Sequence, residues 1–358
     1  MSKQIRTAII GCGNIANHYA EHMKGYPEID LAGFSDLDSA RAEAFAAKFG
    51  GRTYRDLDEI LADPSIELVV NLTIHHAHAE VIERCLEAGK HVHTEKPLAL
   101  SSADAHRLVA LADKTGLRLS SAPSNYMGEA QQTVWRVIRS GGIGTPRLVY
   151  AEVNHGRLEA WHPNPEAFYD VGILWDVSVY PLTLITTFFG PVKRVTAYGT
   201  VLYPDRVTKE GRAFRITTPD YYLAALELEC GMTARLSANF YVDRGKQGGS
   251  MEFHGDGGSA FLGDFQNFDA PVEAHEYGKP YESVPLVRKP PAPSEFSRGV
   301  QDLAQAIIAG RPHRTSGVHA AHVVDTISAI IQSARDHQMV NVGPTKFTPP
   351  TPMDWSGK

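Results

Sequence analysis

A glycine-rich turn follows the first apolar strand of the sequence. The β-branched run from Thr7 to Ile10 leads into G-C-G-N-I-A, which opens a predicted helix. Gly11 permits a tight turn, Gly13 lets a pyrophosphate approach the backbone, and Ala16 keeps the helix close to the sheet. The pattern predicts a dinucleotide-binding turn, with an ordinary glycine turn as the alternative. The predicted cofactor contacts in it are Gly11, Gly13, Asn14, Ile15 and Ala16.

An acidic residue follows the second predicted strand, Leu31 to Ser35. Asp36 stands where the ribose hydroxyls bind in such folds, and a carboxylate there repels a 2′-phosphate. Asp36 is therefore a predicted cofactor contact, and it favours NAD over NADP. Arg41 is close enough in sequence to oppose this preference, so NADP is not excluded.

The segment Glu95-Lys96-Pro97 directly follows the predicted strand His91 to Thr94. Carboxyl ends of parallel strands are where ligands bind in open α/β sheets. Pro97 fixes its own φ and stiffens the turn that presents Lys96. A solvated Glu–Lys pair is the alternative.

A carboxylate and a phenol lie in an otherwise apolar segment, Leu174 to Phe189. In an α-helix Asp176 and Tyr180 are four residues apart and project from one face. If buried, both groups need polar partners. The alternative is an amphipathic helix whose polar side faces water.

The elements around these residues predict two domains of different architecture. In the first third, strands alternate with helices of about 10–15 residues, which predicts a doubly wound parallel sheet. Later, longer strands joined by turn signals at Cys230-Gly231 and Asp256 to Gly258 predict an α+β domain with a largely antiparallel sheet. The predicted division is 1–122 for nucleotide binding, 123–342 for substrate binding and oligomerisation, and 343–358 as a loose Pro-rich tail.

Composition excludes several classes of protein. The 358 residues carry 35 basic and 41 acidic side chains, so the basic excess typical of nucleic-acid binding is missing. Three cysteines without C-x-x-C spacing argue against a disulfide framework and favour a reducing compartment. Pro181 and Gly190 interrupt the longest apolar stretch, and the first residues do not fit a signal peptide. We expect a cytoplasmic protein without a membrane or nucleic-acid partner.

Four motifs occur in order: the glycine turn, Asn71-x-Thr73 with His76, Glu95-Lys96-Pro97, and D-x-x-x-Y ending at Tyr180. Together they resemble the Gfo/Idh/MocA oxidoreductases over nearly the whole chain. The resemblance implies an α/β fold, with an N-terminal Rossmann domain and a C-terminal α+β domain on a large, mostly antiparallel open sheet. That sheet often forms the interface of a homodimer or homotetramer. The implied reaction moves a hydride between a nicotinamide cofactor and a CH-OH group of a sugar, cyclitol or related polyol.

The resemblance also assigns roles to matched residues. Lys96 contacts cofactor and substrate hydroxyl, and Asp176 orients the substrate. Tyr180 replaces the histidine acid/base of many members, as in those that resemble dihydrodiol and xylose dehydrogenases, although Ser178 departs from their D-x-G-x-Y-P pattern. The Lys96 ammonium would stabilise a Tyr180 phenolate, or Lys96 would itself be the base if it were partly desolvated, so the choice of proton acceptor between the two stays open.

The remaining predicted contacts lie within these motifs or, like Asn125, Tyr126 and His162, outside them, and Asn125 matches an asparagine near the nicotinamide in the family that the chain resembles. The cofactor contacts among them are Thr73, His76, Glu95, Lys96 and Asn125. The predicted substrate contacts are Lys96, Asn125, Tyr126, His162, Asp176 and Tyr180. We predict no metal site, because the neighbouring histidines lack thiolates or carboxylates at ligand spacing.

Two other functions stay open on the same fold. One is a non-catalytic NAD(P)-binding regulatory protein, and the other is an NAD-dependent glycoside hydrolase. The joint presence of Lys96, Asp176 and Tyr180 argues against the regulator, because a sensor needs no acid/base pair.

Overall fold

The structure is a computed structural model that describes residues 3–243, 245–343, 346–353 and 355. The strands are β1 Ile5–Ile10, β2 Ile29–Ser35, β3 Arg52–Thr53, β4 Leu68–Asn71, β5 His91–Thr94, β6 Leu119–Ser121, β7 Pro146–Asn154, β8 Val192–Thr200, β9 Asp205–Val207, β10 Ala213–Arg215, β11 Tyr221–Leu228, β12 Thr233–Asn239, β13 Met251–Gly255, β14 Gly258–Leu262, β15 Val272–Glu276, β16 Glu282–Ser283 and β17 Val340–Asn341. The α-helices are α1 Asn14–Met23, α2 Ser39–Phe49, α3 Leu57–Ala62, α4 His78–Glu87, α5 Ser102–Thr115, α6 Glu129–Arg139, α7 Glu166–Val171, α8 Val179–Phe189, α9 Arg298–Ala309 and α10 Gly317–Asp336. Short 3₁₀ turns lie at His75–Ala77, Asn125–Met127 and Leu158–Ala160, and a π-helical turn spans Leu174–Ser178.

The chain divides into two compact units. The first lies within Met1–Ser124 and Glu295–Val324, and the second within Asn125–Ser294 and Asp325–Lys358. This division differs from the predicted domain boundary between residues 122 and 123, because a late segment of the chain, residues 295–324, belongs to the first unit.

Helix α9 shows why the late segment belongs to the first unit. Its apolar stripe, Val300, Leu303 and Ala304, is fully buried in the hydrophobic core that also contains Ile9 of β1 and Val70 of β4. Burying this apolar stripe against the parallel sheet removes it from water, and this hydrophobic gain places α9 in the first unit although α9 comes late in the sequence.

The first unit contains a six-stranded parallel sheet in the order β3-β2-β1-β4-β5-β6. Ile10 pairs with Ser35 of β2 on one side and with Asn71 of β4 on the other, and Asn71 pairs with Thr94 of β5. The strand order therefore reverses at β1, and the carboxyl ends of β1, β2, β4 and β5 share one edge. This confirms the predicted doubly wound parallel sheet and places its ligand-binding edge after these strands.

The second unit contains a nine-stranded sheet in the order β16-β15-β14-β13-β7-β12-β11-β8-β17. In the described strands only β7 and β12 pair in parallel. Along β11, Tyr222, Ala224 and Leu226 are buried, whereas Leu223 between them is exposed. One face of this sheet is therefore packed and the other is open, and the predicted mostly antiparallel sheet is confirmed.

Strand β7 is a central element that the sequence analysis did not predict. Its inward side chains Val149, Ala151 and Val153 are buried and alternate with half-buried residues. The outward positions include Leu148 and Tyr150, and these apolar side chains blur the alternation that would mark a half-buried strand.

The apolar segment after residue 173 folds as the π-helical turn followed by the 11-residue helix α8. Most of its side chains are buried in the protein. Within the residues that the structure describes, no helix is long and apolar enough to span a membrane.

The described part of the C-terminal tail is docked rather than loose, so that expectation is wrong. The Met353 N–H donates to Gln132 Oε1 over 2.9 Å. The Arg288 guanidinium lies 3.8 Å from the centre of the Trp355 ring and pairs with the buried carboxylate of Glu129 at 2.8 Å. These contacts hold the tail against α6 within the second unit.

Candidate functional site

The glycine turn contains one glycine that the fold requires and one that leaves open space. Gly11 has φ +92°, and a Cβ on it would lie 2.6 Å from the backbone C and O of Leu72. Gly13 precedes α1 without a side-chain cap, and a Cβ on it would have no atom within 4 Å. An uncapped helix N-terminus with open space beside it offers N–H groups to an anion. The turn therefore fits a dinucleotide pyrophosphate.

The residues that follow Gly13 have different exposures at the start of α1. Asn14 is exposed, Ile15 is half-buried and Ala16 is fully buried. Ala16 thus packs the helix against the core, as its small side chain predicts, while Asn14 is accessible to a ligand.

Asp36 is fixed directly beside the glycine turn. Its Oδ2 accepts a hydrogen bond from the Cys12 N–H at 2.7 Å, and its Oδ1 accepts from the Asp38 N–H at 2.9 Å. Each carboxylate oxygen retains a further acceptor position for a ribose hydroxyl. Arg41 pairs with Asp38 at 3.4 Å. Burial and the Asp36 charge raise the pKa of the Cys12 thiol to about 12, which keeps it neutral.

The buried side chain of Asn71 organises the segment after β4. Its Oδ1 accepts from the N–H of Thr73 at 3.2 Å and from the hydroxyl of Thr73 at 2.7 Å. Its Nδ2 donates to Thr94 Oγ1 at 3.2 Å. Asn71 therefore fixes Thr73, a predicted cofactor contact, close to Gly11. The motif Asn71-x-Thr73 was the only sequence signal of this role.

Glu95 is tied to helix α1 and to its own turn. The hydroxyl of the fully buried Tyr19 donates to Glu95 Oε1 at 2.6 Å, and the Lys96 N–H donates to Glu95 Oε2 at 3.1 Å. The Glu95 N–H donates to the carbonyl of Asn71 at 2.8 Å. Glu95 was predicted to contact the cofactor, and its carboxylate holds the backbone that presents the half-buried Lys96.

Of the neighbouring histidines, the structure buries His78 and exposes His76. His76, the predicted cofactor contact, lies in the 3₁₀ turn before α4. His78 Nδ1 lies 2.7 Å from the carbonyl oxygen of Pro97, and its Nε2 lies 3.1 Å from that of Thr73. Burial lowers the pKa of His78, and the two carbonyls and Glu95 oppose this shift. The described residues hold no group of three or more potential metal ligands.

In the second unit, Asp176 and Tyr180 lie on a helix that is not regular. Asp176 is buried within the π-helical turn, and the half-buried Tyr180 belongs to α8. The regular α-helical spacing predicted for this pair is therefore wrong. The Ser178 hydroxyl donates to the carbonyl of Ile173, five residues earlier, at 3.2 Å. This bond supports the wide turn, and such turns are frequent at functional sites.

Asn125 fixes the backbone around Tyr180. Its Nδ2 donates to the carbonyl of Phe265 at 2.7 Å and to that of Tyr180 at 3.4 Å. The rings of Tyr180 and Phe265 stack with centroids 6.3 Å apart. Asn125 Oδ1 is buried and has no hydrogen-bond partner among the described residues. Because an unsatisfied buried acceptor costs about 1–3 kcal/mol, this oxygen suits a ligand donor. Phe265 lies outside the motifs found in the sequence.

The other two predicted substrate contacts have local partners in the second unit. Tyr126 is buried, and its carbonyl accepts from Gln132 Nε2 at 2.6 Å. The half-buried His162 accepts from the Asn164 N–H at 3.0 Å through Nδ1, and its ring lies edge-on to Phe168 at 4.5 Å. His162 is therefore oriented by its own loop.

Two family models match this chain. Residues 5–122 match the model described as "Oxidoreductase family, NAD-binding Rossmann fold". Residues 131–261 match the "GFO/IDH/MocA C-terminal domain". The two matches are in chain order and confirm the resemblance based on the motifs.

Curated relatives and solved structures agree with this assignment. The myo-inositol 2-dehydrogenase of Thermotoga maritima is 26% identical over 58% of this chain and 62% of its own length. The trans-1,2-dihydrobenzene-1,2-diol dehydrogenase of Mus musculus is 27% identical over 66% of this chain and 69% of its own. An NAD-binding oxidoreductase from Klebsiella pneumoniae shares the fold with a TM-score of 0.84 and 21% identity, covering 95% of this chain and 99% of that one.

The chain thus spans about three-fifths to two-thirds of the length of these two curated relatives. The matched domains and the fold establish its family. The chain belongs to the GFO/IDH/MocA oxidoreductase family, and residues 5–122 form its NAD-binding Rossmann domain.

Proposed function

We propose that this protein is an NAD(P)-dependent oxidoreductase that transfers a hydride between the nicotinamide and a CH-OH carbon of a sugar, cyclitol or related polyol. The observation that carries this proposal is the arrangement at the carboxyl edge of the parallel sheet. There the Cys12 N–H of the glycine turn donates to Asp36, and Gly11 lies against the backbone of Thr73. His78 joins Thr73 to the carbonyl of Pro97, next to Lys96. A nucleotide site and a candidate acid/base group thus share one edge.

The bound nicotinamide would accept or donate the hydride. The chain must then move one proton, because an alcohol that loses a hydride also loses its hydroxyl proton. In the proposal Lys96 and Tyr180 share this step, with the proton passing from the substrate hydroxyl to one of them and on to solvent. Asp176 accepts a hydrogen bond from a substrate hydroxyl and orients it. A positioned acid/base group typically contributes about 100- to 10,000-fold in rate.

The substrate class is supported by the polar groups of the second unit. Asp176 and Asn125 are buried, and the unpartnered Oδ1 of Asn125 is an acceptor. A site built to bind hydroxyl groups rejects analogues that lack them, because its buried polar groups would then stay unpaired. The two named relatives are dehydrogenases of hydroxylated ring compounds, an inositol and a diol, which supports the same class.

The test is reduction of NAD by a panel of sugars, cyclitols and diols, followed through the absorbance of the reduced nicotinamide. On the best substrate, Lys96→Ala and Tyr180→Phe are each expected to lower kcat by at least about 100-fold. Tyr180→Phe keeps the ring that stacks on Phe265, so a loss of activity in this variant would report the role of the hydroxyl. Tyr277→Phe is the matched control, because Tyr277 is 85% exposed.

Normal turnover in Lys96→Ala and Tyr180→Phe would refute these assignments. A protein that binds NADH but oxidises no member of the panel would favour the regulatory alternative. Cleavage of an aryl glycoside without net reduction of added NAD would favour the hydrolase.

The cofactor proposed is NAD rather than NADP. The Asp36 carboxylate lies beside the glycine turn, where it accepts from the Cys12 N–H, and a carboxylate there would repel a 2′-phosphate. Arg41 is paired with Asp38. The expected kcat/KM with NAD exceeds that with NADP by at least tenfold, which corresponds to about 1.4 kcal/mol. Asp36→Ala should narrow this ratio. A wild-type preference for NADP would contradict the role of Asp36.

The assembly proposed is a homodimer or homotetramer formed through the open face of the nine-stranded sheet. Tyr198 and Leu223 are cross-strand neighbours on this face, and they are 52% and 40% exposed. Adjacent exposed apolar side chains mark an interaction surface. Tyr198→Glu and Leu223→Glu should convert the assembly to monomers in analytical ultracentrifugation, whereas Val207→Glu, an exposed change outside this sheet, should not. A monomeric wild type would refute this proposal.

A further inference from the structure

We propose that His78 is a positioning residue that fixes the turn presenting Lys96 through a hydrogen bond from its Nδ1 to the carbonyl of Pro97. This role rests on the proposed function of Lys96. His78 is 1% exposed, and its two ring nitrogens reach carbonyls in two separate segments, 2.7 Å to Pro97 after β5 and 3.1 Å to Thr73 after β4. One imidazole thus bridges the two loops at the ligand-binding edge of the parallel sheet.

The turn needs such a contact because it lies outside regular secondary structure. Before Lys96, it is held by Glu95, which contacts the Tyr19 hydroxyl and the Asn71 carbonyl. After Lys96, the carbonyl of the buried Pro97 is held by His78. Lys96 is therefore fixed on both sides by buried groups. A misplacement of about 1 Å in a catalytic group can lower a rate about 100-fold, so loss of one of these contacts should reduce turnover.

The two contacts of His78 are not equivalent. A neutral imidazole has one N–H and one lone pair, so it can donate to only one of the two carbonyls. Burial, the largest influence on the pKa of His78, favours the neutral ring, as does the ammonium of Lys96, whereas the two carbonyls and the carboxylate of Glu95 favour the charged one. The Nδ1···O distance is the shorter of the two, which assigns the proton to Nδ1 and the maintained bond to Pro97.

Two amide substitutions separate the contacts. The side-chain nitrogen of asparagine lies as many bonds from Cα as the histidine Nδ1, and that of glutamine as many as Nε2. His78→Asn can therefore keep the bond to Pro97, His78→Gln the contact with Thr73, and His78→Ala neither. We expect kcat within about threefold of wild type for His78→Asn and at least tenfold lower for His78→Gln and His78→Ala, with a smaller change in KM for NAD.

A second measurement does not depend on turnover. The rate of acetylation of the Lys96 amine, read by peptide mass spectrometry, should change at least threefold in His78→Gln and His78→Ala and stay near wild type in His78→Asn. His275→Asn is the control, because the half-buried His275 of β15, in the second unit, likewise contacts a carbonyl through Nδ1, that of Glu276 at 2.8 Å. Thermal unfolding checks that each variant is folded.

The outcomes separate the two proposals. If wild type oxidises no polyol, the proposed function fails, while the acetylation rates still test the role of His78. If His78→Gln retains normal kcat and Lys96 reactivity, or if His78→Asn loses them in a folded protein, the assignment of the Pro97 bond is overturned. Should no variant fold, the tautomer of His78 in ¹⁵N-histidine-labelled wild type decides, and a proton on Nε2 alone overturns the assignment.

Discussion

Replacing Gly13 by alanine is expected to weaken dinucleotide binding while leaving the fold intact. Gly13 has φ −79° and ψ −169°, an extended conformation that alanine adopts without strain. The new methyl group would meet no protein atom within 4 Å. Because alanine also restricts the unfolded chain, the ligand-free protein should gain up to about 1 kcal/mol of stability.

The cost appears only when the cofactor binds. The space above Gly13 is where a pyrophosphate would approach the N-terminus of α1, and the methyl group would occupy it. At an NADH concentration of 100 times Kd, binding stabilises the wild type by about 2.7 kcal/mol. A tenfold weaker Kd leaves about 1.4 kcal/mol at the same concentration. The NADH-induced rise in Tm should therefore fall by about half or more.

The assay is thermal unfolding with and without NADH, and Gly11→Ala provides the contrast. Gly11 has φ +92°, which costs a non-glycine residue about 1–2 kcal/mol. Its Cβ would also lie 2.6 Å from the Leu72 backbone, so Gly11→Ala should lower Tm without any ligand. A Gly13→Ala protein that keeps the full NADH-induced shift would refute the assignment of the open space to the cofactor.

Three further predictions concern stability. Burial lowers the pKa of His93 to about 3, so below its ordinary pKa of 6.5 the unfolded chain binds a proton that the folded state does not. The free energy of unfolding should fall as pH drops from 6.5 towards 3, by up to about 1.4 kcal/mol per pH unit. In His93→Asn, the free energy of unfolding measured with urea should depend less steeply on pH, by the equivalent of about one bound proton, and an unchanged pH dependence contradicts this. Arg206 is buried between Glu159 and Asp220, so Arg206→Met should lower the free energy of unfolding measured with urea by about 3–5 kcal/mol. Adding Asp220→Asn should recover part of this loss. A loss below about 1 kcal/mol, which is typical of an exposed ion pair, contradicts the prediction. Trp355→Ala should lower the free energy of unfolding by about 0.5–1 kcal/mol and speed proteolysis of the tail, and Trp355→Phe should lower it less. Equal rates of proteolysis in the wild type and both variants argue against the docked tail.

The nucleotide-binding turn could be predicted from the sequence because its determinants are local. The β-branched strand, the glycine turn and the start of α1 lie within about twenty residues, and the requirement for glycine at residue 11 follows from a single backbone angle. The parallel pairing of the strands was also predictable, since helices that connect consecutive strands favour a parallel sheet. Strand β7 was missed because its outward side chains hide its alternation.

The sequence alone could not show which of two neighbouring histidines is buried. His76 and His78 lie two residues apart, and the 3₁₀ turn before α4 alters the phase that a regular helix would give. The π-helical turn around Asp176 has the same effect on its spacing from Tyr180. Periodicity assumes one helix type throughout, so it fails where the helix changes type.

The sequence by itself determined the family, the two-sheet architecture and the chemical identity of the candidate groups, because strand, turn and helix preferences act over neighbouring residues. Only the tertiary structure decided how those groups are held. Tyr19 reaches Glu95 from 76 residues away, and Asn125 reaches the Phe265 carbonyl from 140 residues away. Such contacts are chosen by packing, since a buried polar group takes whichever partner the fold brings within hydrogen-bond distance.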